Sequence, residues 1–241
     1  MTHEHSSFHG LGIAPKLLDI LSKNRYTFPT PIQQQCIPFA IEQKDVIGIA
    51  QTGTGKTLAF GIPIVQSLVQ KQGKSLIVVP TRELAIQVAD ALKTIGSPMG
   101  LKTVVLIGGE SMSNQLKQLR LNPELLIATP GRLIDHLEHK TVDLRSTRIL
   151  VLDEADRMLD MGFLPQIKTI LNSLPEQKQT MIQDYAVKNN IIYLDLYSSL
   201  VNDQKGMKQE YSEDGVHPNL SGYKVMDALV VEAITKALKG S

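Results

Sequence analysis

A chain of 241 residues, 42% of them hydrophobic, is long enough to bury the core of one large α/β domain, or of one domain with an appendage. The 25 basic and 24 acidic side chains leave a formal net charge of +1, so the composition alone does not indicate a nucleic-acid partner. No apolar run approaches the ~20 residues that span a bilayer, and the N-terminus lacks the pattern of a secretory signal, so we expect a cytoplasmic protein without a membrane segment.

Short apolar runs alternate with amphipathic segments along most of the chain. The runs, which are rich in β-branched and aliphatic residues, are 45–49, 75–79, 103–107, 125–128, 149–152 and 191–196. Because they are apolar throughout, they are typical of parallel strands covered by helices on both faces. Between them the sequence predicts helices at 57–70, 83–95 and 131–139. This order indicates an α/β fold with a doubly wound, mainly parallel sheet.

A glycine-rich loop follows the first predicted strand. Residues 50–57 read AQTGTGKT and lead into the first of these helices. Glycines allow backbone N–H groups to turn inward and hold phosphate oxygens at a helix N-terminus. The lysine of such a loop reaches the β- and γ-phosphates, and its last hydroxyl coordinates Mg²⁺. The sequence therefore predicts a nucleotide site that uses Thr52, Gly53, Thr54, Gly55, Lys56 and Thr57.

An acidic segment follows the strand predicted at 149–152. It reads DEAD at 153–156, so its carboxylates emerge at the carboxyl edge of the sheet, where ligands bind. Asp153 is suited to holding Mg²⁺, and Glu154 is suited to orienting and deprotonating an attacking water. We expect these two residues to form the catalytic group together with Lys56.

With these two motifs, the segment YTFPTPIQ at 26–33 resembles the first RecA-like domain of DEAD-box RNA helicases, which is a P-loop three-layer sandwich. The resemblance extends from residue 8 to residue 180. It implies that Gln33 hydrogen-bonds adenine, that Tyr26 stacks near the base, and that the cofactors are ATP or ADP with Mg²⁺. From the residues alone, Pro31 also fits the first turn of a helix.

Three further segments match the RNA-contacting elements of that family: PTRELA at 80–85, GG at 108–109 and TPGR at 129–132. Each follows a predicted strand, where helix N-termini and hydroxyls can hold the phosphates of a single strand. Taken one at a time, each is also an ordinary strand-to-helix turn. Their order along the chain implies weak, sequence-independent contact with single-stranded RNA through Pro80, Thr81, Arg82, Gly108, Gly109, Thr129, Pro130, Gly131 and Arg132.

The family pattern breaks after residue 180. The resemblance implies a strand ending in Ser-Ala-Thr, which couples hydrolysis to strand separation, but no Ser-Ala-Thr occurs in the sequence. Residues 181–190 show a helical pattern instead, followed by the strand predicted at 191–196. The remaining length does not accommodate the second RecA-like domain, which supplies an arginine finger. We therefore expect residual or no ATPase activity and no unwinding.

Residues 181–241 resemble the C-terminal end of SGNH (GDSL-like) ester hydrolases. The residues that carry this resemblance are SEDGVHPN at 212–219 and SGY at 221–223. In that family an Asp three residues before a His completes a catalytic triad, and Asp214 and His217 match that spacing. Because the chain has no Gly-Asp-Ser block to supply the nucleophile, we interpret Asp214 and His217 as a vestigial dyad.

The two resemblances predict a chimeric chain, with a helicase-like domain at 1–180 and a hydrolase-like α-β-α piece at 181–241. A single strand cannot bury its own faces, so we expect the second piece to dock on the first as one merged domain. Our hypothesis is that 191–196 inserts beside the strand at 149–152, in place of the missing Ser-Ala-Thr strand, and completes the same sheet.

Two other functions remain open from the residues alone. Asp214 and His217 favour an esterase, which the missing serine block opposes. A fused chain without catalytic activity is the third alternative, and nucleotide binding distinguishes it from the first. The sequence leaves the oligomeric state open.

Overall fold

Six parallel strands form the sheet in the computed structural model of this protein, which describes residues 7–49, 53–70 and 73–184. In chain order they are β1 (Val46–Ile49), β2 (Lys74–Val78), β3 (Thr103–Leu106), β4 (Leu125–Ala128), β5 (Thr147–Asp153) and β6 (Gln179–Asp184). Across the sheet the order is β1-β6-β5-β2-β4-β3, and every neighbouring pair is parallel. All six carboxyl ends therefore lie at one edge.

Eight α-helices precede or connect these strands within the described residues. They are α1 (Pro15–Lys23), α2 (Pro31–Ile41), α3 (Lys56–Gln70), α4 (Arg82–Gly96), α5 (Met112–Leu119), α6 (Pro130–Glu138), α7 (Ala155–Asp160) and α8 (Leu164–Asn172). No described helix is both long enough and apolar enough to cross a bilayer. The alternation of strands and helices confirms the predicted α/β architecture with a parallel sheet.

The apolar core lies in two clusters, one on each face of the sheet. Successive side chains of a strand point to opposite faces, so Ile149 and Val151 of β5 join the first cluster, while Leu150 and Leu152 join the second. Helices α1 to α4 contribute to the first cluster and α6 to α8 to the second. The inner strands β2, β4 and β5 contain unbroken apolar runs at 76–78, 125–128 and 149–152, because both of their faces are covered in this three-layer sandwich.

Proline and threonine fix where the helices at the carboxyl edge begin. Pro31 and Pro130 are the first residues of α2 and α6, a position at which a missing N–H breaks no helical hydrogen bond. Helix α4 begins after Thr81, whose Oγ1 accepts a hydrogen bond from the Leu84 N–H at 3.2 Å. These turns hold the residues between strand and helix at the edge of the sheet.

The segment after residue 180 differs from its sequence prediction. The pattern of 181–190 predicts a helix, but β6 places residues up to Asp184 in a strand between β1 and β5. Met181 pairs with Val46 on one side and with Val151 on the other, and its side chain is 3% exposed. The helix prediction is wrong over 181–184 because tertiary context, here two flanking strands, outweighs a short local pattern.

The hypothesis that 191–196 lies beside the strand of the acidic segment is also wrong. That strand is β5, and its two sides are taken by β2 and β6. The strand predicted at 191–196 and the dyad of Asp214 and His217 lie outside the described residues.

Candidate nucleotide-binding site

The residues that the sequence predicts to be functional lie at the carboxyl edge of the sheet. Residues 26–33, 53–57 and 153–157 border the ends of β1 and β5. We call them the nucleotide half of this edge, after the ligand that the sequence predicts for them. Residues 80–82, 107–110 and 129–132 follow β2, β3 and β4, and we call them the RNA half for the same reason. The two halves meet where β5 lies beside β2.

The glycine-rich loop packs closely against α2. Gly55 has a φ angle of 86°, in the left-handed region that glycine adopts without strain, and a Cβ atom there would collide with the Gln33 side-chain amide. Lys56 and Thr57, both half-buried, begin α3 directly afterwards. The predicted phosphate-binding residues in the described part of the chain are Gly53, Thr54, Gly55, Lys56 and Thr57, whereas Thr52 lies outside it.

Gln33 joins the segment predicted to recognise adenine to the glycine-rich loop. Its side chain is buried, its Oε1 accepts from the Thr30 N–H at 3.0 Å, and its Nε2 donates to the Gly55 carbonyl at 2.9 Å. The buried Thr30 Oγ1 has no hydrogen-bond partner among the described residues. Tyr26 lies half-buried against the first core cluster. The structure thus brings Gln33 to the loop, and its contact with adenine stays a prediction.

Asp153 is a buried carboxylate at the end of β5. Its side chain is 4% exposed, and its Oδ1 makes no hydrogen bond to the described residues. Burial raises the pKa of Asp153 to about 6, although the positive charge of Lys56 acts in the opposite direction. A buried acceptor without a donor is costly, so this oxygen suits a cation.

The donors that the sequence predicts for Mg²⁺ fit the coordination preferences of that ion. The described residues contain no group of three or more His, Cys, Asp or Glu side chains placed to hold a metal ion. Mg²⁺ does not require such a group, because it binds through one or two carboxylates and completes its shell with water and phosphate oxygens. The predicted donors, the Asp153 carboxylate and the Thr57 hydroxyl, would supply oxygen ligands of that type.

Glu154 connects β5 to α7 in an uncommon backbone conformation. Its φ of 54° and ψ of 50° lie in the left-handed region, which non-glycine residues seldom adopt and which often marks functional sites. Its Oε2 accepts a hydrogen bond from Arg157 Nη1 at 2.9 Å. The side chain is 17% exposed, so water can approach the carboxylate while Arg157 holds it.

The first two segments of the RNA half are in direct contact. Thr81 caps α4, and Arg82 begins that helix. The Arg82 guanidinium lies against Gly109, whose φ is 74° and where a Cβ atom would collide with it. The backbone angle therefore favours glycine at position 109, whereas the exposed Arg82 side chain could move away from a Cβ atom there.

The third segment of the RNA half is held by Arg132. This guanidinium is 13% exposed; its Nη1 donates to the Glu110 carbonyl at 3.0 Å and to Gln115 Oε1 at 3.2 Å. Its Nε lies 3.3 Å from Asp135 Oδ2. Arg132 thus has partners within the chain, and its predicted contact with RNA is untested.

Sequence reasoning missed two buried polar residues beneath the RNA half. Gln115 and His136 are both fully buried, and His136 Nε2 lies 2.9 Å from Gln115 Oε1. Nothing in the sequence pattern pairs them, because they are 21 residues apart on different helices. The only sequence signal for this pair was Gln115, a polar residue on the inner face of the amphipathic helix α5.

A strand, a glycine-rich loop and a helix, with a buried carboxylate at the end of another strand of the same sheet, define a phosphate-loop nucleotide-binding domain. The sequence model of the DEAD/DEAH box helicase family matches residues 30–183, which is more than half of the chain. The chain belongs to the DEAD/DEAH box helicase family.

Relatives and solved structures agree with this assignment. The chain is 46% identical over 191 residues to an ATP-dependent rRNA helicase RRP3 of Debaryomyces hansenii, a match that covers 78% of this chain and 40% of the relative. It is 45% identical over 185 residues to the ATP-dependent RNA helicase DeaD of Buchnera aphidicola, covering 76% of this chain and 31% of that protein. The chain therefore spans less than half the length of these curated relatives.

Two crystal structures share the fold. A DEAD box protein from Methanococcus jannaschii superposes with a TM-score of 0.72 at 33% identity, covering 78% of this chain and 52% of that one. The RNA helicase Prp28 from Chaetomium thermophilum, solved bound to ADP, superposes with a TM-score of 0.69 at 34% identity, covering 79% of this chain and 47% of that one. Both are similar to this chain in the part that forms the sheet.

Proposed function

We propose that this chain is the ATP- and ADP-binding domain of a DEAD-box RNA helicase within a chimeric chain. On its own it has residual or no ATPase activity and does not unwind RNA. The observation that carries the proposal is the unpaired, buried Oδ1 of Asp153, which lies close enough to Lys56 for the lysine charge to affect its pKa. A buried carboxylate between a lysine and a glycine-rich loop suits a magnesium-bound triphosphate.

In this proposal the nucleotide half holds the phosphates. Backbone N–H groups of Gly53, Thr54 and Gly55 surround the β-phosphate, and the Lys56 ammonium pairs with the β- and γ-phosphates. Thr57 and Asp153 hold Mg²⁺, which when bound supplies positive charge to the phosphate oxygens.

Adenine recognition is assigned to residues 26–33. The Gln33 amide is suited to pair with the N6/N7 edge of adenine, and Tyr26 packs near the base. In the structure the same amide holds Thr30 and Gly55. Gln33 is therefore placed to connect occupancy of the base site with the shape of the phosphate loop.

Glu154 is the proposed general base for hydrolysis. Its carboxylate would orient a water molecule and accept its proton as the water oxygen bonds to the γ-phosphorus, while the bond from that phosphorus to the β–γ bridging oxygen breaks and ADP leaves. The Arg157 guanidinium, 2.9 Å away, competes for the same carboxylate oxygen. A helicase-like domain that acts without the family's arginine finger, which contributes roughly 10³ to 10⁵ in rate, is expected to hydrolyse ATP slowly.

The RNA half is proposed to bind the backbone of single-stranded RNA weakly and without sequence preference. The groups available are main-chain amides near Gly108, Gly109 and Gly131, together with the hydroxyls of Thr81 and Thr129 and the side chains of Arg82 and Arg132. Pro130 fixes the first turn of α6, so that its N-terminus faces the same side.

Calorimetric titration of the whole chain with ADP and Mg²⁺ tests the proposal. We expect saturable one-site binding that weakens when EDTA removes the metal, and weaker binding of GDP than of ADP. No heat of binding with either nucleotide would contradict it. RNA is tested separately by the anisotropy of a fluorescent decauridine with and without a non-hydrolysable ATP analogue.

A second candidate rests on Asp214 and His217, whose spacing favours an ester hydrolase remnant at 181–241, joined to a helicase-like domain at 1–180. The proposed boundary lies within β6, so the junction between the two segments would fall inside a strand of the sheet. Hydrolysis of a chromogenic acetate ester that disappears in His217→Ala would support esterase activity. Equal rates in the two proteins would remove this candidate and favour a fused chain without that activity.

A further inference from the structure

We propose that Gln115 and His136 are positioning residues of the RNA half, which hold the loop at 107–110 and the first turn of α6 in fixed relation to each other. This inference rests on the proposed contact with RNA and extends it to two residues that touch no ligand. It concerns a buried layer directly beneath the residues that would face a phosphodiester backbone.

Gln115 is the centre of this layer. Its Nε2 donates to the Ile107 carbonyl at 2.9 Å and lies 3.4 Å from Glu110 Oε2. Its Oε1 accepts from Arg132 Nη1 at 3.2 Å. One fully buried amide thus connects both ends of the loop to α6. Removing it would leave buried polar groups without partners, which costs more than the bonds themselves contribute.

His136 completes the connection from the other side. Its Nε2 lies 2.9 Å from Gln115 Oε1, and its Nδ1 lies 2.8 Å from Thr141 Oγ1. Because Gln115 Oε1 can only accept, Nε2 carries the proton. The single proton of the Thr141 hydroxyl is shared between His136 Nδ1 and the His136 carbonyl oxygen, which lies 3.0 Å from Thr141 Oγ1. The ring therefore ties α6, α5 and the turn after α6 together.

The charged surroundings favour the neutral ring. Burial lowers the pKa of His136, and the nearby positive charges of Arg132 and His139 lower it further, while Asp135 raises it. Glu110, bonded to Gln115 from the loop, is the remaining acidic group in the layer. A neutral imidazole keeps a single pattern of donors and acceptors at neutral pH.

The main chain above this layer is open. A Cβ atom at Gly108 or at Gly131 would meet nothing within 4 Å. Gly108 lies in the loop at 107–110 and Gly131 lies in the first turn of α6. Gln115 and Arg132 connect these two segments. Phosphate recognition by main-chain N–H groups depends on their fixed spacing, since each contact is weak and none reads a base. A buried layer that fixes this spacing sets RNA affinity without contacting RNA.

The test compares Gln115→Leu with Gln118→Leu in the full 241-residue chain. Both residues lie on α5, but Gln118 is exposed, so it controls for the change of side chain on this helix. We expect Gln115→Leu to weaken binding of fluorescent decauridine about tenfold, a loss of about 1.4 kcal/mol, and to leave the affinity for a fluorescent ADP within about twofold of wild type. Gln118→Leu should change neither.

Hydrogen–deuterium exchange provides a measurement that does not require RNA. In Gln115→Leu we expect faster exchange in peptides covering 107–112 and 130–135, and unchanged exchange in 55–60, which belongs to the nucleotide half. His136→Leu should reproduce the effect. His136→Gln, which retains a donor near the position of Nε2, should restore most of the protection.

Each outcome decides between the two proposals. If the wild-type chain binds no RNA, the proposed RNA contact fails, and exchange at 107–112 and 130–135 still tests the positioning role. Unchanged exchange in these peptides overturns that role, whatever happens to RNA affinity. Exchange that rises equally at 55–60 also overturns it, because Gln115 would then stabilise the whole domain without positioning the RNA half.

Discussion

The two halves of the carboxyl edge differ in how completely their polar groups are paired. In the nucleotide half, Asp153 Oδ1 is buried without a hydrogen-bond partner among the described residues. At the RNA half, Arg132 bonds to the Glu110 carbonyl and to the underlying pair of Gln115 and His136, and its buried Nε lies 3.3 Å from Asp135 Oδ2. In the proposed function, a ligand would pair the free carboxylate oxygen of the first half, whereas the polar side chains at the second half are largely paired within the chain.

The difference has an energetic meaning. A buried carboxylate oxygen without a donor destabilises the unliganded domain, and binding of a cation would remove that penalty. In the proposed function, part of the affinity for nucleotide would therefore come from relief of a cost that folding imposes. The RNA half would offer no such gain, so its proposed affinity would rest on weak main-chain contacts in a prearranged geometry.

The largest effect is expected from Lys56→Ala. Loss of the charged donor to the β-phosphate should weaken binding of ADP with Mg²⁺ at least about a hundredfold, or about 2.7 kcal/mol. Titration calorimetry measures this loss, with Lys117→Ala on the exposed side of α5 as the control. Exchange at 107–112 should stay unchanged. Equal affinity in Lys56→Ala and wild type would contradict the assignment of the phosphate loop.

Asp153→Asn should stabilise the unliganded domain while it abolishes the Mg²⁺ dependence of nucleotide binding. Because the folded pKa of Asp153 is raised to about 6, its contribution to stability is present below its unfolded value and is lost as the pH rises through 6. Removing the charge should raise the free energy of unfolding at pH 8 by on the order of 2 kcal/mol.

Urea unfolding of wild type and Asp153→Asn at pH 8 and pH 4 measures that gain. The gain should largely disappear at pH 4, where the carboxyl is protonated in the folded state. A variant that is less stable than wild type at pH 8 would show that Asp153 is paired in solution, and that the two halves do not differ as described.

Gln33→Leu should produce a smaller change that still separates the halves. It removes the bonds to the Thr30 N–H and the Gly55 carbonyl, at a cost of about 1–2 kcal/mol in unfolding free energy. It should also lower the preference for ADP over GDP, because the amide that pairs with adenine is lost. Competition titrations check the preference, and Gln35→Leu, exposed on the same helix, is the control. An unchanged preference would remove Gln33 from base recognition.

The smallest effect concerns pH and the RNA half. The folded pKa of His136 is lowered, so its contribution to stability is present above the unfolded value near 6.5 and is lost as the pH falls below it. We expect wild type to lose more stability than His136→Gln between pH 7.5 and pH 5.5 in urea unfolding. Taking the difference between the two proteins cancels the opposing contribution of Asp153. Parallel pH profiles would mean that His136 is not neutral and buried in solution.

Much of the fold could be predicted from the sequence. The strand expected at 125–128 is β4 itself, and the other observed strand boundaries within 45–152 differ by no more than two residues from those predicted. Prediction worked best for β4 and β5, because both faces of these inner strands are covered and their apolar runs are unbroken. The turns at Pro31 and Pro130 were also readable, since proline is favoured at the first position of a helix.

The remainder depended on tertiary structure. β6 contains Gln179, Thr180 and Gln183, and its sequence suits a helix as well as a strand; its position between β1 and β5 decides the outcome. The hydrogen bonds of Glu154 to Arg157 and of Gln33 to Gly55 could not be predicted, because the motifs identify single residues and not their partners. No periodicity in the sequence indicates that Gln115 pairs with His136. Candidate site residues could therefore be proposed from the sequence, whereas their partners within the chain could not.

The adjacency of β5 and β2 has a consequence for communication between the two ligands. Leu152 pairs with Val78, so the strand that ends at Asp153 is directly bonded to the strand that leads to Thr81. Neighbouring strands lie about 4.8 Å apart. A tilt of β5 caused by nucleotide would reach the first RNA segment across a single row of main-chain hydrogen bonds. In the proposed function, this row of bonds would connect the nucleotide half with the first RNA segment inside one sheet.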